Sequence, residues 1–287
     1  MHGLAEDYVV SVVQQALAED IGAGDLTSEL VLPAELAAVA EIVAREPVVV
    51  AGLPFAAEVF RQLDAGIEFA PLVAEGAVLA AGEVLARVRG RARPILAGER
   101  TALNFLQRLS GIATLTREFV EAVAGTSVRI LDTRKTTPTL RVMEKYAVRV
   151  GGGQNHRMGL YDAVMIKDNH RRLLRRLGAD ALAAAVRRVR KERPAVTVIV
   201  EADTLAEVEE ALAAGADHIL LDNMTAAELE EAVRLVNGRA RTEASGGVRL
   251  ANVAELAATG VDYISVGALT HSARAVDLSL EVSDGEA

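Results

Sequence analysis

The sequence predicts an α/β protein in which a short or incomplete parallel α/β barrel follows a small N-terminal α+β domain. Three observations carry this. From Val128 onward, short apolar runs alternate with amphipathic stretches. The alternation repeats at about 22 residues, the length of one strand, one helix and two tight loops. The composition, 51% hydrophobic but only 3% aromatic with no Trp, requires a core of Ala, Val, Leu and Ile, which suits buried parallel strands covered by helices. At 287 residues the chain exceeds the usual single-core domain, so a barrel with an accessory domain fits its length.

In chain order, Asp7–Ile21 has the pattern of an amphipathic helix and Val39–Ala51 that of a strand. Leu72–Arg93 alternates between turn glycines at Gly76, Gly82 and Gly90. Glu75–Leu85 is similar to the hammerhead of biotinyl and lipoyl carriers. Those modify a lysine, and residues 1–134 contain none, which excludes that role. Leu96–Ala124, broken near Gly111, reads as a long helical connector. The barrel strands are then Val128–Leu131, Ala163–Ile166, Val196–Val200, His218–Leu221, Arg241–Ala244 and Tyr263–Val266. Helix starts are signalled by Thr204 with Glu207, Thr225 with Glu228, and Asn252 with Glu255. The domain boundaries this implies are 1–108 for the N-terminal domain with its connector, 109–275 for the barrel, and 276–287 for a C-terminal tail.

Charge narrows the function. The formal balance of −9 argues against nucleic acid or an acidic membrane as partner. Yet Val128–Arg176 holds twelve Lys/Arg against four Asp/Glu, one basic island in an acidic protein. Within it, Arg171, Arg172, Arg175 and Arg176 read as a solvated helix face. The absence of Cys excludes a disulfide framework, thiolate ligation and a thiol nucleophile. Met1–Tyr8 carries no basic stretch followed by an apolar run, and no uncharged apolar segment reaches membrane-spanning length. The expectation is a cytoplasmic protein.

In parallel barrels, ligands bind where the C-terminal ends of the strands converge. The residues there are Asp132, Arg134 and Lys135 after the first run, then Lys167, Glu201 and Asp222, then Ser245-Gly246-Gly247 and Gly267-Ala268. Arg134, Lys135, Arg157 and Lys167 around one mouth call for a strongly anionic ligand, because like charges held close repel. Arginine forks suit carboxylates, and lysine acts as a point charge on phosphate. The last two loops suit a phosphate held by backbone N–H groups. Glu201 and Asp222 are either ion-pair partners of those cations or ligands of sugar hydroxyls or Mg²⁺ beside a developing oxocarbenium ion. His156 lies in a glycine-flexed loop without neighbours at metal-ligand spacing, so it is a polar contact or a structural hydrogen-bonding group. No nucleophile elbow, P-loop or dinucleotide fingerprint is present.

Several long motifs resemble one family. Glu19-Asp-Ile-Gly-Ala-Gly-Asp-Leu-Thr, Glu99-Arg-Thr-Ala-Leu-Asn-Phe, Leu109-Ser-Gly-Ile-Ala-Thr, Asp132-Thr-Arg-Lys-Thr-Thr-Pro, Lys145-Tyr-Ala-Val-Arg-Val-Gly-Gly-Gly-Gln-Asn-His-Arg, Ile166-Lys-Asp-Asn-His and Val266-Gly-Ala-Leu-Thr-His-Ser are similar to quinolinate phosphoribosyltransferase, the carboxylating nicotinate-nucleotide pyrophosphorylase. The resemblance spans nearly the whole chain. It implies an α/β fold with an N-terminal α/β sandwich domain and a seven-stranded open parallel α/β barrel, and phosphoribosyl transfer from phosphoribosyl pyrophosphate to quinolinate, with loss of CO₂. It also implies Mg²⁺, held mainly through phosphoribosyl pyrophosphate with Glu201 and Asp222 in reach, and a homodimer, or a higher oligomer, with shared active sites. Carried over, Arg134, His156, Arg157 and Lys167 hold the quinolinate carboxylates. Lys135, Glu201 and Asp222 engage the ribosyl donor, and Lys135, Lys167, Glu201 and Asp222 form the catalytic set. Thr133, Ser245, Gly246, Gly247, Val266, Gly267 and Ala268 line the substrate site, and Arg100 completes the neighbouring subunit's site. Two other readings compete: a related barrel enzyme, either the molybdenum-transport-associated paralogue or a phosphoribosyltransferase preferring nicotinic acid, and a non-catalytic anion-binding module. One departure stands at Thr139, where the family has Gly. A branched Cβ disfavours positive φ, so the expectation is a turn of different path, with Thr139 capping a helix from Leu140.

Overall fold

The computed structural model describes residues 4–178 and 180–283; the outermost parts of the expected first domain and tail, 1–3 and 284–287, lie outside them. The strands in chain order are β1 (Ala37–Ala44), β2 (Val48–Val49), β3 (Glu68–Pro71), β4 (Val78–Leu79), β5 (Val84–Arg91), β6 (Arg129–Leu131), β7 (Val164–Ile166), β8 (Val198–Ala202), β9 (His218–Asp222), β10 (Arg241–Ser245), β11 (Tyr263–Ser265) and β12 (Leu278–Val282). They fall into two compact units. The first takes in the described residues within Met1–Arg117, Val142–Gly152 and Ala273–Ala287, and the second Glu118–Arg141 and Gly153–Ser272.

In the first unit an antiparallel sheet of order β12-β1-β5-β3 stands with the short pair β2-β4. The strand expected over Val39–Ala51 is thus two strands, parted at Arg45–Pro47, where Pro lacks the N–H needed to continue a ladder. The helix Leu53–Leu63 buries Phe55, Val59 and Phe60, and Phe55 stacks on Phe105 at 5.3 Å between ring centroids. The connector runs as one helix from Ala92 to Ala122 and is not broken at Gly111. Glycine is there for a different reason: a Cβ at Gly111 would stand 1.9 Å from the Arg274 carbonyl oxygen, so only a bare Cα admits that backbone.

The second unit is the barrel. Its sheet has the order β6-β11-β10-β9-β8-β7, every pair parallel. Strands β7 to β11 neighbour one another in sequence order, and β11 returns to pair with β6, which is the wrap of a barrel. Closure stops short. Beyond β6 the ladder continues only as a parallel bridge between Leu131 and Gln154, so among the described residues the barrel is open between β6 and β7. All six expected strands are present, shifted by up to two residues.

Local chemistry explains the crossovers. Thr204 Oγ1 accepts the Glu207 N–H, and Thr225 and Glu228 form a reciprocal capping box. Gly215 and Asn237 end those helices in left-handed conformation. The third expected start is corrected: the helix Leu250–Ala258 begins after Arg249, whose N–H donates to Asn252 Oδ1, so Asn252 lies inside the first turn. Thr139 is corrected as well. It adopts φ +69, the left-handed conformation a glycine would take, and it caps nothing; its hydroxyl donates to the Pro138 carbonyl, and the helix begins at Arg141.

Candidate active site

A cavity of about 520 Å³ opens at the C-terminal ends of the barrel strands. Each strand contributes to its wall: Thr133, Arg134 and Lys135 follow β6, and Lys167 and Asp168 follow β7. Glu201 stands on β8, Leu220 and Asp222 on β9, Glu243 and Ser245 on β10, and Ser265 on β11. His156 and Arg157 enter from the loop after the Gln154 bridge. Nine of the residues expected at the site therefore share one cavity: Thr133, Arg134, Lys135, His156, Arg157, Lys167, Glu201, Asp222 and Ser245. Gly246, Gly247, Val266, Gly267 and Ala268 occupy the loops after β10 and β11 but do not line that wall. Arg100 is exposed on the helix Ala92–Ala122 in the first unit and is not among the lining residues.

The cavity holds both cations and carboxylates. Among the cations, Arg157 donates through its guanidinium to the Ala163 carbonyl at 3.2 Å and approaches Met165 Sδ at 3.5 Å. Burial, then the adjacent charge of Arg134, holds Arg157 below the usual guanidinium range. Arg134 Nε is buried with no hydrogen-bond partner among the described residues. A site that crowds two guanidinium groups and leaves a donor unmet is built for an anion.

Among the carboxylates, Glu201, Asp203 and Asp222 bring oxygens within 4.8 Å of one another. Burial pushes Glu201 above the usual carboxyl range, against the pull of the Asp168 N–H and of Lys167, whose Nζ lies 3.9 Å from Glu201 Oε2. Asp203 is raised by burial and then by the charges of Glu207 and Asp222. This crowding stores charge that a cation or cationic transition state would relieve.

Asp132 stands apart from the ligand-facing groups. It is fully buried and serves the loop, accepting from the His156 N–H at 2.8 Å and Asn155 Nδ2 at 2.5 Å. The solvated-face reading of the four arginines is corrected for Arg171. Only 4% exposed, it pairs with Glu207 at 2.9 Å and Glu210 at 2.6 Å and donates to the Glu201 carbonyl at 2.8 Å. It thus pins the strand end that carries Glu201.

Sequence reading missed Asp203, Glu243 and His218. Asp203 lies two residues beyond Glu201, on the same side of an extended chain. Glu243 left a signal too, a carboxylate inside an otherwise buried strand, which is tolerable only with a partner. That partner, His218, opens β9, and the β9–β10 register places it one ladder step away, opposite Arg241.

Comparison with known proteins agrees along the whole chain. Residues 112–281 match the family model of the quinolinate phosphoribosyl transferase C-terminal domain, and residues 25–110 that of its N-terminal domain. A probable nicotinate-nucleotide pyrophosphorylase (carboxylating) of Bacillus subtilis is 44% identical, the match covering 92% of this chain and 90% of the relative. A quinolinate phosphoribosyltransferase (decarboxylating) of Nicotiana tabacum is 42% identical over 94% of this chain and 81% of its own. Among solved structures, the nicotinate-nucleotide pyrophosphorylase from Francisella tularensis superposes with a TM-score of 0.92 at 39% identity, covering 98% of each chain.

Proposed function

The chain belongs to the quinolinate phosphoribosyltransferase family, and from that premise we propose how its barrel performs the family's reaction. The enzyme is a carboxylating nicotinate-nucleotide pyrophosphorylase: it joins quinolinate to phosphoribosyl pyrophosphate and releases pyrophosphate, CO₂ and nicotinate mononucleotide, a step of NAD biosynthesis. The observation that carries the assignment of parts is that one cavity holds a crowded guanidinium pair, Arg134 and Arg157, together with Glu201 and Asp222 of a three-carboxylate cluster, with Lys167 beside Glu201.

Quinolinate's two carboxylates fit the cations. Arg134 and Arg157 supply planar forks and Lys167 a point charge, and a dicarboxylate compensates several cations better than a monocarboxylate does. Lys135 and the loops Ser245–Gly247 and Val266–Ala268 receive the phosphates of the ribosyl donor, the loops through backbone N–H groups. Glu201 and Asp222 place negative charge beside C1 of the ribose as it becomes oxocarbenium-like. The pyridine nitrogen attacks C1 as pyrophosphate departs. The quaternised nitrogen then accepts electron density, so the C2–carboxylate bond breaks with its electron pair left on C2. A solvent proton restores the ring. No covalent enzyme intermediate is required.

Mg²⁺ fits the carboxylate cluster of Glu201, Asp203 and Asp222. The donor set is oxygen-only, and the crowding that raises Glu201 and Asp203 is what a divalent cation relieves. Glu201, Asp203 and Asp222 would hold it together with oxygens of the donor substrate. When bound, it neutralises charge on the departing pyrophosphate. The working assembly is a homodimer in which the exposed Arg100 reaches the partner's site, and the compartment is the cytoplasm. The lack of Cys suits a reducing environment, and no helix among the described residues is long and apolar enough to cross a membrane.

The test is direct. Purified protein with phosphoribosyl pyrophosphate, Mg²⁺ and quinolinate labelled in the 2-carboxylate should release labelled CO₂ and form nicotinate mononucleotide in equal amounts. Turnover of nicotinic acid in place of quinolinate would overturn the assignment.

A further inference from the structure

One buried charge in the wall of the cavity has no part in the chemistry above. Glu243 lies in the middle of β10 with no exposed surface. An isolated carboxylate there would cost several kcal/mol, yet both its near neighbours are imidazoles. His218 Nε2 lies 2.9 Å and His156 Nε2 3.3 Å from the same oxygen, Oε2. Burial alone would raise the carboxyl; the two histidines beside it overcome that and bring it to about 2, so Glu243 is an anion at neutral pH. His218 is in turn packed against Tyr263, with ring centroids 5.4 Å apart.

The approach of His156 Nε2 to Glu243 is an ion-pair distance rather than an aligned hydrogen bond, and it still bears on which nitrogen of the ring holds the proton. A carboxylate only accepts, so the ring nitrogen beside it carries the proton. The other nitrogen, Nδ1, then offers a lone pair, and it accepts the Arg157 backbone N–H at 2.7 Å. The ring is oriented in the way a ligating or catalytic imidazole is oriented by an outer carboxylate. Both nitrogens are turned toward the protein.

We infer that His156 is a positioning residue: anchored by Glu243 and His218, it fixes the backbone of Arg157 and so aims that guanidinium at the quinolinate carboxylate, without itself bonding the substrate. The inference deepens the quinolinate reading and rests on Arg157 binding that acid. It assigns Glu243 and His218, two residues that touch no reacting atom, to the specificity of the site.

Two measurements test it. In the first, the wild-type protein without ligand is studied by ¹⁵N NMR of its imidazoles at neutral to mildly alkaline pH. His156 should carry its proton on Nε2 with Nδ1 unprotonated; a protonated Nδ1 overturns the inference, and this readout does not depend on any activity. The second is a double-mutant cycle on KM for quinolinate. His156→Leu should raise it about tenfold and Arg157→Lys about a hundredfold, while the double variant is no worse than Arg157→Lys alone. KM for phosphoribosyl pyrophosphate should stay within about twofold, which a general loss of structure would not permit. Multiplying effects, near a thousandfold in the double variant, would mean that His156 contacts the substrate itself.

His156→Asn adds a rescue and covers the case in which the Leu variant fails to fold. Its Oδ1 can accept the Arg157 N–H, so KM should return to within about threefold of wild type. An Asn variant as impaired as the Leu variant overturns the inference. If wild type does not turn over quinolinate, the functional reading fails, and the NMR measurement still decides the role of His156.

Discussion

Thr139 holds φ +69, a left-handed conformation that costs a residue with a branched Cβ about 1–2 kcal/mol. Sequence reasoning took the branched side chain as evidence against that conformation. The backbone keeps it nonetheless, because the loop path between Lys135 and the helix from Arg141 is imposed by the structure around it. Thr139→Gly should therefore raise stability by about 1 kcal/mol, since glycine takes the conformation without strain but loses more entropy on folding. The urea unfolding midpoint measures this, and an unchanged or lowered midpoint would show that the hydroxyl on Pro138 outweighs the strain. Glu201 illustrates the opposite bargain, strain kept for function. Its carboxyl is raised above 4.5 in the folded protein. A raised carboxyl destabilises the fold at pH above its folded value, and the penalty fades as pH falls through that value toward the unfolded one. Glu201→Gln should thus stabilise the metal-free protein by about 1 kcal/mol at pH 8 and by little at pH 4, while abolishing activity. In wild type, millimolar Mg²⁺ should raise the melting temperature at pH 8 and progressively less as Glu201 and Asp203 take up protons. An equal Mg²⁺ effect at pH 5 and pH 8 would place the ion elsewhere.

Elements show how much the sequence disclosed. Short β-branched runs and the Thr204 and Thr225 caps identified six strands and their crossovers, because parallel strands and N-caps depend on a few local residue types. Strand limits, the unbroken connector and the Glu243 pair were not visible, since each depends on partners distant in the chain. Gly111 is the clearest case. Its local signal is a helix breaker, and its actual role is to admit the Arg274 backbone 163 positions away. The cavity followed from strand ends alone, but the aim of each side chain did not: Asp132 is a buried anchor rather than a member of the mouth, and Arg171 a buried anchor rather than part of a solvated face. The loop after β10 was legible because Ser245-Gly246-Gly247 is small wherever it sits. Gly246 has φ +93, and a Cβ would stand 2.9 Å from the Asn223 backbone nitrogen. Gly246→Ala must move that loop, so KM for phosphoribosyl pyrophosphate should rise by about tenfold or more with KM for quinolinate little changed. Equal rises in both would show that the loop serves the whole cavity and not the phosphate.

At the scale of the molecule, the chain assigns its site to one unit and one of its expected site residues, Arg100, to the other. The cavity is lined entirely by residues of the second unit, whereas Arg100 is exposed on the long helix of the first. An exposed arginine with no ion-pair partner among the described residues is worth little to its own fold, which gives it freedom to act on another chain. If the working assembly is a twofold dimer with shared sites, each site takes Arg100 from one subunit and Glu201 from the other. Arg100→Ala and Glu201→Ala homodimers should each be nearly inactive. Mixed and re-equilibrated, half the dimers are hybrids, and each hybrid carries one site with both wild-type residues and one with neither. Activity should then recover to about a quarter of wild type at equal total protein, the share set by random pairing of subunits across a twofold interface. Sedimentation of the mixture must show dimers throughout, and the recovered activity must appear only after conditions that let subunits exchange. No recovery after proven exchange would mean that Arg100 acts on its own subunit or only supports the helix, and the shared-site assembly would fall with it.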